Sequence, residues 1–274
     1  VATDSIDFEL DQTNPSASLA PRTDANTGFR EIRRLQIGMT DYFVIPYDVF
    51  YNDNYSGANT RTKWIEDEFG NLINIPTQDE AIPSPTKNYT GNTSQRIPSG
   101  NLGEVFFREY VTDRFYNQSA NTPNSETFSL YLKTDIPTIT KFEQASGSAY
   151  TNNSNVLTKI EANTNRIHPI KDDIELSNYV ISTNPNLTWN SPEWTANTKI
   201  TSTHNYIATK RIDLDTIGFS EGVCNVYCYV KDACQNIANS MFSIIYDKTA
   251  PAIHKFDKNS HSRSHSTYDI HLEA

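Results

Sequence analysis

The chain has 274 residues, with 33 acidic against 23 basic side chains and a formal net charge of −10. That balance argues against nucleic acid as a partner, because phosphate binding rests on Lys and Arg displacing counterions, and no run of 18 apolar residues is present to insert into a membrane as a helix. Fifteen Tyr and thirteen Phe beside two Met favour strands over helical bundles, and 36% hydrophobic residues can fill small cores but not one very large one.

The chain opens on Val1 without a charged start and apolar stretch, so any signal peptide is expected to be removed or to lie outside this sequence. Residues 42–51 form one β-prone run, expected to break or bulge at Pro46, which has no N–H to give to a ladder. Residues 64–75 read as a hairpin turning near Gly70 and Asn71. The polar stretch 77–101 has few apolar anchors and reads as a long loop or insertion, where Tyr89 and Arg96 could present a binding surface. Residues 105–111 and 128–132 then make a hairpin. Further strands are expected at 156–162, 174–181, 206–212, 223–230 and 241–246, and no stretch of a dozen residues holds a helical period.

Residues 103–142 return in degenerate form as residues 222–256. Gly103, Tyr110, Val111, Asp113 and Asn117 recur 119 positions later as Gly222, Tyr229, Val230, Asp232 and Asn236. Phe128, Ser129, Pro137, Ile139, Lys141 and Phe142 recur 114 positions later as Phe242, Ser243, Pro251, Ile253, Lys255 and Phe256. The difference falls at 119–124, which reads as a hairpin loop, and loops absorb insertions. Phe8, Leu10 and Pro15 stand 122 positions before Leu130, Leu132 and Pro137, and residues 269–274 resemble residues 157–162. Periods this long suit beads on a string, each with its own core. The expected organisation is the last strand of a preceding unit at 1–17, a unit with a long polar insertion at 18–138, a second unit at 139–253, and the first strands of a following unit at 254–274.

Asp232 and Asn236 bracket a tight turn, in which a carboxylate can accept backbone amides two residues on. Farther on, Asp247, Thr249 and Pro251 form a linker whose proline cannot donate to a ladder and stiffens the passage. This pattern resembles the bacterial immunoglobulin-like (Big-type) tandem repeats of surface proteins and adhesins. Those modules commonly close with a turn of the type Asp-x-x-Gly-Asn, a last strand, and a linker of the type Asp-x-Thr-x-Pro-x-Ile. Gln235 stands where that turn has Gly, which implies an unusual turn type. The first unit keeps Asp113 and Asn117 but writes its linker from Lys133 through Asp135 to Pro137, whereas Asp11, Thr13 and Pro15 lie closer to the family form. The resemblance covers about the last third of each module. It implies an all-β fold of tandem immunoglobulin-like β-sandwich domains in an extended array, with Asp113, Asn117, Pro137, Asp232, Asn236, Asp247, Thr249 and Pro251 as its structural motif.

Catalytic patterns are missing: there is no Gly-x-Ser-x-Gly elbow, no His-Glu-x-x-His, no phosphate loop and no Rossmann glycine signature. Cys224 and Cys228 share one face of a strand with Val226 and Val230 and read as small buried residues, too far apart to bridge. His254, His261, His265 and His271 read as exposed. Calcium is the metal most compatible with the acidic residues near predicted unit ends, with Asp135, Asp172, Asp173 and Asp247 as candidates beside Asp11 and Asp257. Trp189 and Trp194 read as core residues, with a glycan-stacking shelf as the alternative. The leading expectation is a non-enzymatic structural or adhesive stalk of a bacterial cell-surface protein (adhesin, surface layer or filament), extracellular, meeting a protein or glycan ligand or self-associating into a layer or filament. Alternatives are immunoglobulin-like modules of a phage tail fibre or capsid decoration, and an accessory non-catalytic region of a secreted polysaccharide-active enzyme.

Overall fold

The computed structural model describes residues 10–25, 28–54, 56–74, 77–82, 87–100, 102–118, 126–164, 175–195, 198–250, 252, 255–258 and 270–273. Among these residues there is no α-helix, and the regular elements are strands. The first half of the chain builds two sheets. One holds β1 (Ser16–Pro21), β2 (Arg33–Ile37), β3 (Thr40–Asn52) and β6 (Asn88–Pro98), with β3 pairing all three others. The other runs β5 (Thr77–Ala81), β4 (Ala58–Asp67), β7 (Gly103–Asp113), β8 (Glu126–Leu132) in spatial order.

The second half repeats this plan. A sheet of β14 (Asn205–Asp213), β11 (Asn155–Asn163) and β9 (Thr138–Gln144) stands where β6, β3 and β1 stand in the first half. A sheet of β10 (Tyr150–Thr151), β16 (Ile237–Tyr246), β15 (Gly222–Asp232), β12 (Leu176–Ser182) and β13 (Lys199–Thr203) stands where β8, β7, β4 and β5 stand, with β10 added in parallel at its edge. Among the described residues, no second-half strand corresponds to β2. A further pair, β17 (Lys255–Lys258) with β18 (Ile270–Glu273), follows.

Alternation explains the packing. Side chains two apart on a strand share a face, so Phe43, Ile45, Tyr47, Val49 and Tyr51 of β3 meet Val105, Phe107 and Val111 of β7 in one buried cluster. In the second half Cys224, Val226, Cys228 and Val230 of β15 face Val156, Ile160 and Ala162 of β11 in another. Both cysteines are buried free thiols, and burial pushes the Cys228 thiol up to about 12.

Two expectations are corrected here. The described part of 77–101 is not a long loop: β5 and β6 hold most of it, and β6 pairs with β3 over eleven consecutive residues. The inward face of β6 carries Tyr89, Gly91, Thr93, Gln95 and Ile97, mostly polar because it meets a polar patch inside the sandwich. There the buried Glu109 of β7 accepts from the hydroxyls of Tyr51 and, at 3.1 Å, Tyr47; Gln95 Nε2 donates to Tyr47 at 3.1 Å. Arg61 lies 3.9 Å from Glu109 and pairs with Glu80 at 2.7 Å, and Lys63 reaches Glu80 at 2.9 Å. Hydrogen bonding from Arg61 holds the Glu80 carboxyl down to about 2, whereas burial raises Glu109. Tyr89 folds back over Gly91, where a Cβ would lie 2.5 Å from its hydroxyl, and stacks on Tyr51.

The second correction concerns Pro46, which neither breaks nor bulges β3. The β3–β6 register runs through it without a shift. On the opposite side β2 pairs only to Val44 and β1 begins at Tyr47, so the missing N–H falls in the gap between them. The Pro46 carbonyl on that side still accepts from Arg22 N–H at 3.3 Å.

Candidate functional site

The turn that closes each half is the most elaborated polar feature of the chain. Asp113 ends β7 with Asn117 four residues on; Asp232 ends β15 with Asn236 four residues on. Their internal bonds match. Asp113 N–H donates to Asn117 O at 3.0 Å and Asp232 N–H to Asn236 O at 3.0 Å. The Asn117 and Asn236 amides donate to Oδ1 of their aspartates at 2.9 and 2.8 Å, and their Nδ2 groups to Oδ2 at 2.7 and 2.9 Å. Tyr116 and Gln235, with φ of 67° and 66°, occupy the left-handed region.

A third copy, Asp67 to Asn71, lies in the hairpin turn expected near Gly70 and Asn71 and has the full Asp-x-x-Gly-Asn form. Its Asn71 N–H and Nδ2 both donate to Asp67 at 2.8 Å, and Gly70 has φ of 82°. Gln235 therefore does not create an unusual turn. It adopts the glycine conformation, at a steric cost of roughly 1–2 kcal/mol for a residue with a Cβ.

The two closing turns do one thing that the Asp67 turn does not. Asn117 Nδ2 also donates to Asp11 O at 3.0 Å, and Asn236 Nδ2 to Lys133 O at 3.0 Å. Asp11 and Lys133 are the same 122 positions apart as Leu10 and Leu132, so the repeat places one bond twice. Each asparagine clips the segment that enters its own half of the chain.

At the second turn the clip is enlarged. Asn236 Oδ1 accepts from the Arg34 guanidinium, whose Nε also donates to Cys234 O at 3.3 Å while its carbon lies 4.3 Å from the Phe43 ring centre. Cys234 is fully buried, joins the first-half core and places its Sγ 3.5 Å from Tyr131 O. Burial pushes Asp232 up to about 6 and, at the adjacent position, pushes Lys231 down to about 8; the Lys231 ammonium sits 4.5 Å from the Trp194 ring centre. A side chain at Gly28 would meet Lys199 Nζ at 3.1 Å. The arrangement joins β2, the exit of β8 and the turn after β15 through side chains from both halves.

The linker residues follow a second small motif. Thr13 N–H donates to Asp11 Oδ1 and Thr249 N–H to Asp247 Oδ1, each at 2.9 Å. Asp247 is exposed, and Thr249 Oγ1 donates to Glu221. Pro137 is buried where β9 begins. Pro251, Asp172 and Asp173 lie outside the described residues, as do His254, His261 and His265. Asp135 and Asp247 join no close carboxylate group among the described residues.

The carboxylates brought together are Asp11, Asp53 and Asp113, all buried, each with an oxygen within 4.8 Å of the others'. Hydrogen bonding from the Thr13 hydroxyl leads the effects that hold Asp11 below its ordinary range, and Ser56 N–H adds to it at 3.2 Å. Oxygen donors of this kind could hold a hard cation such as calcium. Asp11 was a sequence candidate, but Asp53 and Asp113 were not considered as ligands. Trp189 is partly exposed, and Trp194 donates to Thr188 O at 2.8 Å beside the small cluster of Val180, Leu187 and Tyr229.

No family model matches the sequence, and no curated protein matches it. Among solved structures, the chain is similar to the sialic-acid-binding region of a Streptococcus sanguinis SK1 adhesin bound to 3'sLn. The likeness has 12% identity and a TM-score of 0.28, and covers 89% of this chain and 81% of that one. It is also similar to a red sea bream transglutaminase at 9% identity and a TM-score of 0.27, covering 87% of this chain and 32% of that enzyme.

Proposed function

We propose that the chain is a non-enzymatic spacer: tandem immunoglobulin-like sandwich units, at 18–138 and 139–253, that hold a fixed angle and project or space other parts of a long extracellular surface protein. In this reading residues 1–17 and 254–274 belong to neighbouring units. Its contacts with the outside, a protein or glycan ligand or a second stalk in a layer or filament, lie on the units' surfaces and not in an enclosed reaction site.

One observation carries the reading. The Asn236 side chain ties its own turn, the incoming segment at Lys133 and Arg34 of the preceding half into one hydrogen-bonded knot. A flexible tether has no use for such a knot, whereas a spacer depends on it, because each bond removes a hinge.

The test is thermal unfolding of residues 10–138 and 133–253 made separately. Each should melt cooperatively, the first losing about 1 kcal/mol because Cys234 no longer covers its core. Two pieces without transitions would remove the modular basis. Run with calcium and with a chelator, the same melts test the metal: a cation held by Asp11, Asp53 and Asp113 raises the first midpoint alone, and Asp53→Ala abolishes the rise. Equal midpoints in both solutions would discard calcium.

A further inference from the structure

The knot at the second turn has a counterpart at the first turn that lacks its covering half. At the second turn Cys234 is buried in the first-half core, Asn236 is buried, and Leu132, just before the clipped Lys133, is fully buried. The residues standing in the same places at the first turn are Phe115, Asn117 and Leu10. Phe115 is 52% exposed, Tyr116 beside it 85%, and Leu10 72%. The backbone bonds, the left-handed φ and the clip to the incoming segment are the same at both turns. The difference lies in what covers them.

Exposure of three large apolar side chains around an otherwise satisfied polar turn runs against the ordinary partition of such residues. Tyr116 accepts left-handed strain where glycine would be free of it, so its ring is retained at a steric cost. At the second turn that position holds Gln235, which is half-buried. Asn117 Oδ1 occupies the place at which Asn236 Oδ1 receives the Arg34 guanidinium.

We infer that the end face made by Leu10, Phe115, Tyr116 and Asn117 is the docking surface for a further β-sandwich unit preceding Leu10 on the same polypeptide. That unit takes Leu10 into its core as the end of its last strand. It offers an apolar recess to Phe115 larger than the one that holds Cys234, and a cationic or amide N–H donor to Asn117 Oδ1. The inference rests on the spacer reading, and it names the surface and chemistry through which the array continues.

Thiol labelling tests it. In the 274-residue chain a Phe115→Cys thiol should react freely, while Cys224, Cys228 and Cys234 stay unreactive. Two leaders are then spliced ahead of Asp11. One is residues 10–132, whose Leu132 takes the place of Leu10; the other is residues 133–246, whose exit at Asp247 matches Asp11. Cysteine at position 115 also reproduces the size of Cys234. Behind at least one leader, labelling of the Phe115→Cys thiol should slow by about a hundredfold, and Arg34→Ala in the first leader should restore most of the rate. Each spliced chain should show the leader's own cooperative melt, and unchanged labelling behind both folded leaders would overturn the inference. A reactive Cys234 in the unaltered chain would instead show that the junction between the two halves fails, and with it the spacer reading.

Discussion

Glu109→Ala is expected to lower the unfolding free energy of the first half by about 3 to 5 kcal/mol, the usual cost of removing one partner from a buried ionic network. The carboxylate is fully buried and accepts both tyrosine hydroxyls of β3. Without it, Tyr47 and Tyr51 keep buried hydroxyls with fewer partners, and Arg61 is left to Glu80 alone among the carboxylates near it. Glu109→Gln keeps the shape and one good acceptor and should lose about half as much. Cys228 stands at the equivalent place in the second half with only apolar neighbours from its core, so Cys228→Ala should cost far less. Urea unfolding of the intact chain, followed through first-half aromatic signals, reads these values. A loss below about 1 kcal/mol for Glu109→Ala would mean that water already penetrates the network.

Asp232→Asn should change how stability depends on pH. Burial raises the folded pKa of Asp232 to about 6 from 3.8. A carboxyl shifted upward contributes stability that is fully present below the unfolded pKa and lost as pH rises through the folded one. Relative to Asp232→Asn, the unaltered chain should therefore lose about 3 kcal/mol between about pH 4 and pH 6, then hold level. Asp232→Ala at pH 7 also leaves the Asn236 N–H without its acceptor and Nδ2 with Lys133 O alone, and the expected loss is about 2 kcal/mol. That is larger than an exposed turn would give, because this turn is buried under the first half. A stability of the unaltered chain relative to Asp232→Asn that does not vary with pH, or that rises with rising pH, would show that Lys133 and Arg34 govern the carboxylate instead.

Most strands could be read from the sequence because alternation of apolar residues is local. The final hairpin of each half and the repeat itself follow from residues such as Tyr110, Val111 and Phe128. What hid β6 was its partners: Thr93 accepts from Arg61 and Lys63, and Gln95 donates to the Tyr47 hydroxyl, so a buried face looks like a solvated loop. β2 was missed for a related reason, since Leu35 and Ile37 point outward and only Arg34 turns toward the junction. Asp113, Asn117, Asp232 and Asn236 could be picked out as turn residues. Their second role could not, because the carbonyls they clip lie 106 and 103 residues away in the chain. Arg34, 202 residues from Asn236, gives no local sign of its part.

The direct measure of the central claim is the distance across the junction. Spin labels at Met39→Cys and Ile207→Cys, positions 100% and 73% exposed, report it by pulsed dipolar spectroscopy. One narrow distance distribution is expected in the unaltered junction, broadening markedly when Arg34→Ala and Asn236→Ala are combined. A broad distribution before any junction residue is changed would contradict a fixed angle between the halves.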